Sequence, residues 1–217
     1  MDLIHASFEP EGEGPFPTVF AFHGWGSNAM DLLGLAPHLL GGSMLVIAPQ
    51  GPIRTPIGGG AYGYGWFPIT GGAGPLDRSS FDAARESLEE FLDAAGSRYP
   101  VDPARSFALG FSQGGVMAYD LALRHPQRFA GLIALSSWLP VELGRAYLAT
   151  PAHARLPTLI QHGTQDPMIP VERARESAAL VRELGAPVTL ADYPIGHEIS
   201  APSLADLNSW LAGGKLE

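Results

Sequence analysis

The sequence predicts an α/β fold in which helices flank both faces of a mostly parallel, doubly wound sheet. Short apolar runs alternate along the chain with longer segments of helical periodicity, which is the order of parallel strands joined by crossover helices. These runs are apolar at consecutive positions, as expected for strands that are covered on both faces. The length of 217 residues fits a single domain over residues 1–217, and a hydrophobic content of 46% supplies its core.

Six strands and five helices follow from these patterns. The predicted strands cover residues 18–22, 44–48, 106–111, 131–135, 158–161 and 188–193. The predicted helices cover residues 29–40, 79–98, 113–124, 171–184 and 203–211. The clearest helix repeats apolar side chains at steps of three and four from Phe81 to Ala95, so it is expected to lie on a sheet. Residues 1–17 leave room for one edge strand before the first core strand.

Charge and residue usage exclude several classes of function. Thirteen Lys and Arg against 22 Asp and Glu give a net charge of −9, which disfavours binding to nucleic acid. The chain has no cysteine, so a nucleophile must be another residue type. No window has the roughly 18 consecutive apolar residues of a membrane span, and no targeting segment is visible at the amino terminus. We therefore expect a cytoplasmic protein without membrane insertion.

One segment, residues 52–75, is unusually rich in glycine and aromatic residues. It contains three consecutive glycines at 58–60 and four aromatic side chains, Tyr62, Tyr64, Trp66 and Phe67. Glycine alone would suit a flexible surface loop. Because exposing all four aromatic rings would be costly, the segment is predicted to be a loop folded over a pocket.

A single G-x-S-x-G motif, at residues 110–114, marks a candidate nucleophile. Its three fixed positions are weak by themselves in a chain with 27 glycines. Its context is stronger, because the motif directly follows one predicted strand and opens a predicted helix, as a nucleophile elbow requires. Ser112 would project from this turn, and glycines at 110 and 114 would avoid a collision across it. The alternative is a serine that only caps the helix.

A serine nucleophile needs a histidine base, and that histidine needs a carboxylate to orient it. In this type of fold the order along the chain is Ser, then Asp or Glu, then His. His197 follows the last predicted strand, and Asp166 follows the strand at 158–161. Both would lie at the carboxyl edge of the sheet, where such folds place their chemistry. The alternative for each is an ordinary residue of a surface turn.

Three other residues compete for these roles. Asp192 lies within a predicted strand only a few positions before His197, where reaching the ring would be difficult. Glu198 adjoins His197 and would point away. His162 precedes Asp166 at a strand end and is predicted to support the loop.

Attack on an ester carbonyl places negative charge on its oxygen, which two backbone N–H groups must meet. One is expected from Gln113, directly after the nucleophile. The other is expected from the loop after the first core strand, and there Trp25 lies between two glycines that allow close approach to a substrate. The same loop could also be a plain glycine-rich turn.

These residues resemble the carboxylesterase and lysophospholipase group of α/β-hydrolases, to which the acyl-protein thioesterases also belong. The matching segments are 22–26 (FHGWG), 109–115 (LGFSQGG), 135–140 (LSSWLP), 163–170 (GTQDPMIP) and 196–199 (GHEI). The resemblance implies an α/β-hydrolase fold and a serine hydrolase without cofactor that acts on carboxylic esters. It implies a triad of Ser112, Asp166 and His197, with Trp25 and Gln113 at the oxyanion hole. It also allows a homodimer.

The stretch between residues 137 and 157 is too short for a large cap domain, so an open groove is expected. Apolar residues that flank the catalytic loops are candidates for binding a small-molecule substrate, and each could equally belong to the core. They are Trp66, Phe67, Trp138, Met168 and Ile169, with Trp25 beside them.

An open groove favours short- to medium-chain carboxylic esters as substrates. A lysophospholipase or acyl-thioesterase acting on long acyl chains is the main alternative, and a non-catalytic ligand-binding protein is a further one. A metal-dependent hydrolase is disfavoured, because no His-x-His or His-Glu-x-x-His motif occurs.

Overall fold

The structure is a computed structural model that describes residues 3–69 and 76–213. In these ranges the strands are β1 (His5–Phe8), β2 (Phe16–Phe22), β3 (Leu45–Pro49), β4 (Ile53–Gly58), β5 (Ala61–Gly65), β6 (Val101–Phe111), β7 (Gly131–Leu135), β8 (Thr158–Gly163) and β9 (Val188–Tyr193). Seven of them form one sheet in the order β1-β3-β2-β6-β7-β8-β9. Only β1 pairs antiparallel in that sheet, and the other pairs are parallel. All six predicted core strands and the predicted edge strand are confirmed.

The helices occupy the crossovers between these strands. They are α1 (Arg78–Arg98), α2 (Gln113–Arg124), α3 (Val141–Gly144), α4 (Val171–Glu183) and α5 (Ala201–Leu211), with 3₁₀ segments at Leu32–Gly42, Pro126–Arg128 and His153–Arg155. Four of the predicted helices are confirmed within two residues at each end. The prediction of a regular helix at 29–40 is wrong in type, because Pro37 lies inside the segment and Leu40 and Gly41 adopt positive φ.

Helices cover both faces of the sheet. Along β2, Phe20 and Phe22 point into a core cluster that includes the apolar faces of α1, α2 and α4. The intervening Val19 and Ala21 point into a second cluster, with residues of the Leu32–Gly42 segment and of α5. Side chains of successive strand residues point to opposite faces, so both faces are buried and the consecutive apolar runs are explained. The predicted doubly wound α/β class is confirmed.

The glycine-rich segment is the main departure from the predicted fold. Residues 53–65 form an antiparallel hairpin, β4–β5, whose turn contains Gly58, Gly59 and Gly60, all with positive φ. The prediction of a loop is therefore wrong for these residues, because they form two paired strands. The end of the segment, residues 70–75, lies outside the described residues.

Between β7 and β8 the chain forms only the four-residue α3 and one 3₁₀ turn, so no large cap covers the carboxyl edge of the sheet. Within the described ranges, no helix is both long and apolar enough to cross a lipid bilayer.

Candidate active site

Ser112 lies at the sharp turn between β6 and α2, with φ of 52° and ψ of −121°. A residue with a side chain rarely adopts a positive φ, because this backbone conformation is strained. The surrounding packing holds Ser112 in it. A Cβ atom at Gly110 would lie 2.2 Å from the carbonyl oxygen of Gly114. A Cβ atom at Gly114 would lie 1.9 Å from the carbonyl oxygen of Phe22. The elbow geometry predicted for the motif is confirmed, and both glycines are required by close backbone contacts.

Hydrogen bonds hold the strained backbone of Ser112 from both sides. Its N–H donates to the carbonyl of Leu135 at 2.9 Å. Its carbonyl accepts from the N–H of Gly115 at 3.0 Å and from the hydroxyl of Ser137 at 2.7 Å. Sequence reasoning missed the role of Ser137, because the residue lies 25 positions away and only the sheet brings the ends of β6 and β7 together.

Asp166 and His197 are joined in the structure. The Nδ1–H group of His197 donates to Oδ2 of Asp166 at 2.7 Å, and the Asp166 side chain is fully buried. The other carboxylate oxygen accepts from the N–H groups of Met168 at 2.8 Å and Ile169 at 2.9 Å. Burial raises the pKa of Asp166, but the hydrogen bonds from Ile169, His197 and Met168 outweigh it and hold the pKa below its ordinary value. The carboxylate therefore stays ionised at neutral pH and can orient the imidazole.

Close contact between two loops places His197. A Cβ atom at Gly163, at the end of β8, would lie 2.3 Å from the carbonyl oxygens of Ile195 and Gly196, so only glycine fits there. The His197 ring then lies 4.9 Å from the ring of Phe111, the residue before Ser112, measured between centroids. In the described part of the chain no hydrogen bond joins Ser112 to this imidazole, so their pairing stays a prediction.

Two of the competing residues lie away from the Asp166–His197 pair, and the third, His162, contacts Asp166 with its Nε2 3.4 Å from Oδ2. Asp192 accepts from the guanidinium of Arg175 at 2.7 Å on the surface, and Glu198 is exposed. His162 is fully buried, and its Nε2–H donates to the carbonyl of Ile169 at 2.8 Å. The prediction that His162 supports the Asp166 loop is confirmed.

The two predicted oxyanion donors lie on separate elements near the nucleophile. A Cβ atom at Gly24 would lie 3.4 Å from Cβ of Ser112, so the loop that carries Trp25 runs directly past this residue. Gln113 begins α2, where backbone N–H groups lack partners in the helix. Within residues 3–69 and 76–213, neither the Trp25 N–H nor the Gln113 N–H has a protein acceptor. Both are therefore available to a substrate oxygen.

The predicted substrate-binding residues divide into two groups. Trp66 is fully buried, and Phe67 is 4% exposed and packs against Phe81. The interpretation of these two as groove residues is wrong, because their rings belong to the core. Met168 is 70% exposed, and Trp138 and Ile169 are half-buried, so these three remain candidates.

Among the residues that the structure describes, no three His, Asp or Glu side chains gather as a group that could hold a metal ion. The buried titratable groups of the site are instead engaged with one another and with the backbone.

Residues 5–213 match the protein family described as phospholipase/carboxylesterase. The chain is 31% identical over 173 residues to acyl-protein thioesterase 1 from Gibberella zeae, covering 76% of this chain and 73% of the relative. It is 29% identical over 173 residues to carboxylesterase SOBER1 from Arabidopsis thaliana, with the same coverage of 76% and 73%.

A solved structure of esterase PE8 has a similar fold. It superposes with a TM-score of 0.84 at 24% identity, over 98% of this chain and 99% of that one. This likeness concerns the fold alone.

Proposed function

The chain belongs to the phospholipase/carboxylesterase family of α/β-hydrolases and is a carboxylic ester hydrolase, and we propose that it cleaves short- to medium-chain esters through Ser112, His197 and Asp166. The observation that carries the proposal is the buried Asp166–His197 hydrogen bond, with the imidazole beside the elbow of Ser112. A base oriented by a buried carboxylate next to a serine on a strained turn suits acyl transfer.

The reaction would proceed in two steps. Ser112 Oγ attacks the ester carbonyl carbon while its proton passes to Nε2 of His197. The bond from that carbon to the alcohol oxygen then breaks, and the alcohol leaves with the proton from Nε2. Water attacks the acyl-enzyme in the same manner, so His197 receives one proton from water and returns it to Ser112 as the acid departs.

Asp166 would act through His197. Its carboxylate accepts the Nδ1 proton, which leaves Nε2 of the neutral ring free to accept the proton of Ser112. When the ring becomes charged, the nearby carboxylate stabilises the imidazolium. The negative charge on the substrate oxygen would be met by the N–H groups of Trp25 and Gln113.

The surroundings of the site favour apolar substrates. Met168, two positions after Asp166, is 70% exposed. Ile57 lies against Gly26 of the loop at residues 23–27, which we call the oxyanion loop, and is 54% exposed. Exposed apolar side chains thus lie in the Asp166 loop and against the loop that carries Trp25, while no large cap encloses a long acyl chain. A small, apolar ester fits this open arrangement.

An acyl-thioesterase acting on long acyl chains is the second candidate. It is favoured by the relative named acyl-protein thioesterase 1, which is 31% identical to this chain. The same serine chemistry serves esters and thioesters, so the two candidates differ only in leaving group and chain length.

A series of p-nitrophenyl esters from acetate to palmitate, with acyl thioesters of the same lengths, tests the proposal. We expect kcat/KM to peak at short or medium chains and turnover to vanish in Ser112→Ala. The matched control is Ser87→Ala, a half-buried serine of α1 whose hydroxyl donates to the carbonyl of Ala83 in the same helix. A peak at long chains or on thioesters would favour the second candidate, and turnover that persists in Ser112→Ala would exclude the proposed mechanism.

A further inference from the structure

A fully buried carboxamide connects the nucleophile elbow to the segment that follows the β4–β5 hairpin. Oε1 of Gln113 accepts from the backbone N–H of Trp66 at 2.8 Å. Nε2 of Gln113 donates to the backbone carbonyl of Phe67 at 2.6 Å. The side chain thus fastens main chain more than 40 residues distant in sequence to the first turn of α2.

The indole of Trp66 extends this connection to the loop that carries Trp25. Its Nε1–H donates to the carbonyl of His23 at 2.8 Å. The His23 ring is 1% exposed, and its Nε2 accepts from the N–H of Gly51 at 3.0 Å. The ring proton must therefore be on Nδ1, which donates to the carbonyl of Gly24 at 2.8 Å.

The Gly24 carbonyl belongs to the same peptide group as the Trp25 N–H. A trans peptide is planar, and its C=O and N–H point in opposite directions. Holding the carbonyl against His23 therefore fixes the direction of the Trp25 N–H. We call the three buried side chains of His23, Trp66 and Gln113 the oxyanion bracket.

The hairpin holds the other side of the same loop. The Gly26 N–H donates to the carbonyl of Tyr64 at 2.8 Å, and the Tyr64 N–H donates to the carbonyl of Ser27 at 2.7 Å. A Cβ atom at Gly63 would lie 1.8 Å from the carbonyl oxygen of Gly26. The hairpin therefore packs directly on the oxyanion loop, and the loop has little freedom to move.

We propose that the Gln113 carboxamide and the Trp66 indole are positioning groups that align the Trp25 N–H with the Gln113 N–H before substrate binds. This inference rests on the proposed function. Gln113 supplies one oxyanion donor through its backbone and orients the other through its side chain. Donors that are fixed in advance stabilise the transition state without reorganisation, so loosening the oxyanion bracket should reduce turnover more than substrate binding.

Two variants interrupt the oxyanion bracket at different points. Gln113→Met preserves the backbone N–H and the approximate length of the side chain but removes both carboxamide hydrogen bonds. Trp66→Phe removes the indole donor and leaves the elbow unchanged. The matched control is Thr158→Val, which removes a buried side-chain hydrogen bond to the carbonyl of Leu156. Thr158 begins β8, at the end of the strand away from the active site.

The readouts are kcat and KM for a short p-nitrophenyl ester, inhibition by a trifluoromethyl ketone that forms a tetrahedral adduct, and the thermal unfolding midpoint. In Gln113→Met we expect kcat to fall by ~10- to 100-fold with KM changed by less than ~3-fold. The Ki of the ketone should rise by a similar factor, because the adduct needs the same donors. Trp66→Phe should show the same pattern to a smaller degree, and Thr158→Val should retain wild-type kcat and Ki.

Wild-type kcat and Ki in both folded bracket variants would overturn the inference, as would a lower kcat with an unchanged Ki. If Gln113→Met does not fold, Trp66→Phe decides by the same criteria. A wild-type protein that shows no Ser112-dependent hydrolysis would instead remove the proposed function, and the inference with it.

Discussion

Replacing Asp166 with Asn tests the orientation of the catalytic histidine. The Met168 and Ile169 N–H groups both donate to Oδ1, so in the variant they would select the amide oxygen for that position. Turning the amide over would break both hydrogen bonds, at about 1 kcal/mol each. The NH₂ group of Asn is therefore expected to face the His197 ring.

An NH₂ group cannot accept the Nδ1 proton, so His197 would shift to the tautomer that carries its proton on Nε2. That tautomer cannot take the proton of Ser112. The equivalent change in serine proteases lowers kcat by ~10⁴-fold, which corresponds to about 5 kcal/mol of activation free energy. We expect a loss of this order for Asp166→Asn.

The assay is kcat on p-nitrophenyl butyrate at neutral pH, with the thermal midpoint as a check on folding. Asp192→Asn is the matched control, because this carboxylate pairs with Arg175 on the surface, and its kcat should equal that of the wild type. A kcat in folded Asp166→Asn within tenfold of the wild type would show that a group other than Asp166 orients His197.

Three further predictions concern the elbow and the oxyanion loop. Gly114→Ala should lower the free energy of unfolding by about 1–3 kcal/mol in urea titration, because its Cβ would overlap the Phe22 carbonyl; wild-type stability would contradict this. Ser137→Ala should lower the free energy of unfolding by about 1 kcal/mol and kcat several-fold, since it removes one of the two hydrogen bonds to the Ser112 carbonyl; an unchanged kcat argues against this restraint. Burial lowers the pKa of His23 below 6.5, so the unfolded chain binds the extra proton and stability falls as pH drops below about 6.5. In His23→Gln the free energy of unfolding, measured by urea titration, should depend less on pH between 7 and 5. An unchanged pH dependence would contradict the role of His23.

The strands and the triad order could be predicted because they depend on local signals. Consecutive apolar residues identified the strands, whose two faces are both buried. The carboxyl ends of parallel strands lie at one edge, so Asp166 and His197 could be assigned there without knowing their distance.

The hairpin and the oxyanion bracket could not be predicted in the same way. Gly63 and Gly65 lie in β5 because the oxyanion loop passes within contact distance, not because glycine favours strands. The partners of the Gln113 side chain are 46 and 47 positions away in the sequence. For Trp66, nothing in the neighbouring residues shows whether the indole lies in the core or lines a groove. Such contacts arise only when the whole sheet has formed.

Covalent labelling with a fluorophosphonate tests whether Ser112 is the nucleophile. Intact mass and peptide mapping would be followed together with the loss of esterase activity. We expect one adduct, on Ser112, and activity that falls in proportion to labelling. An adduct on a different residue, or full hydrolysis by completely labelled protein, would contradict it.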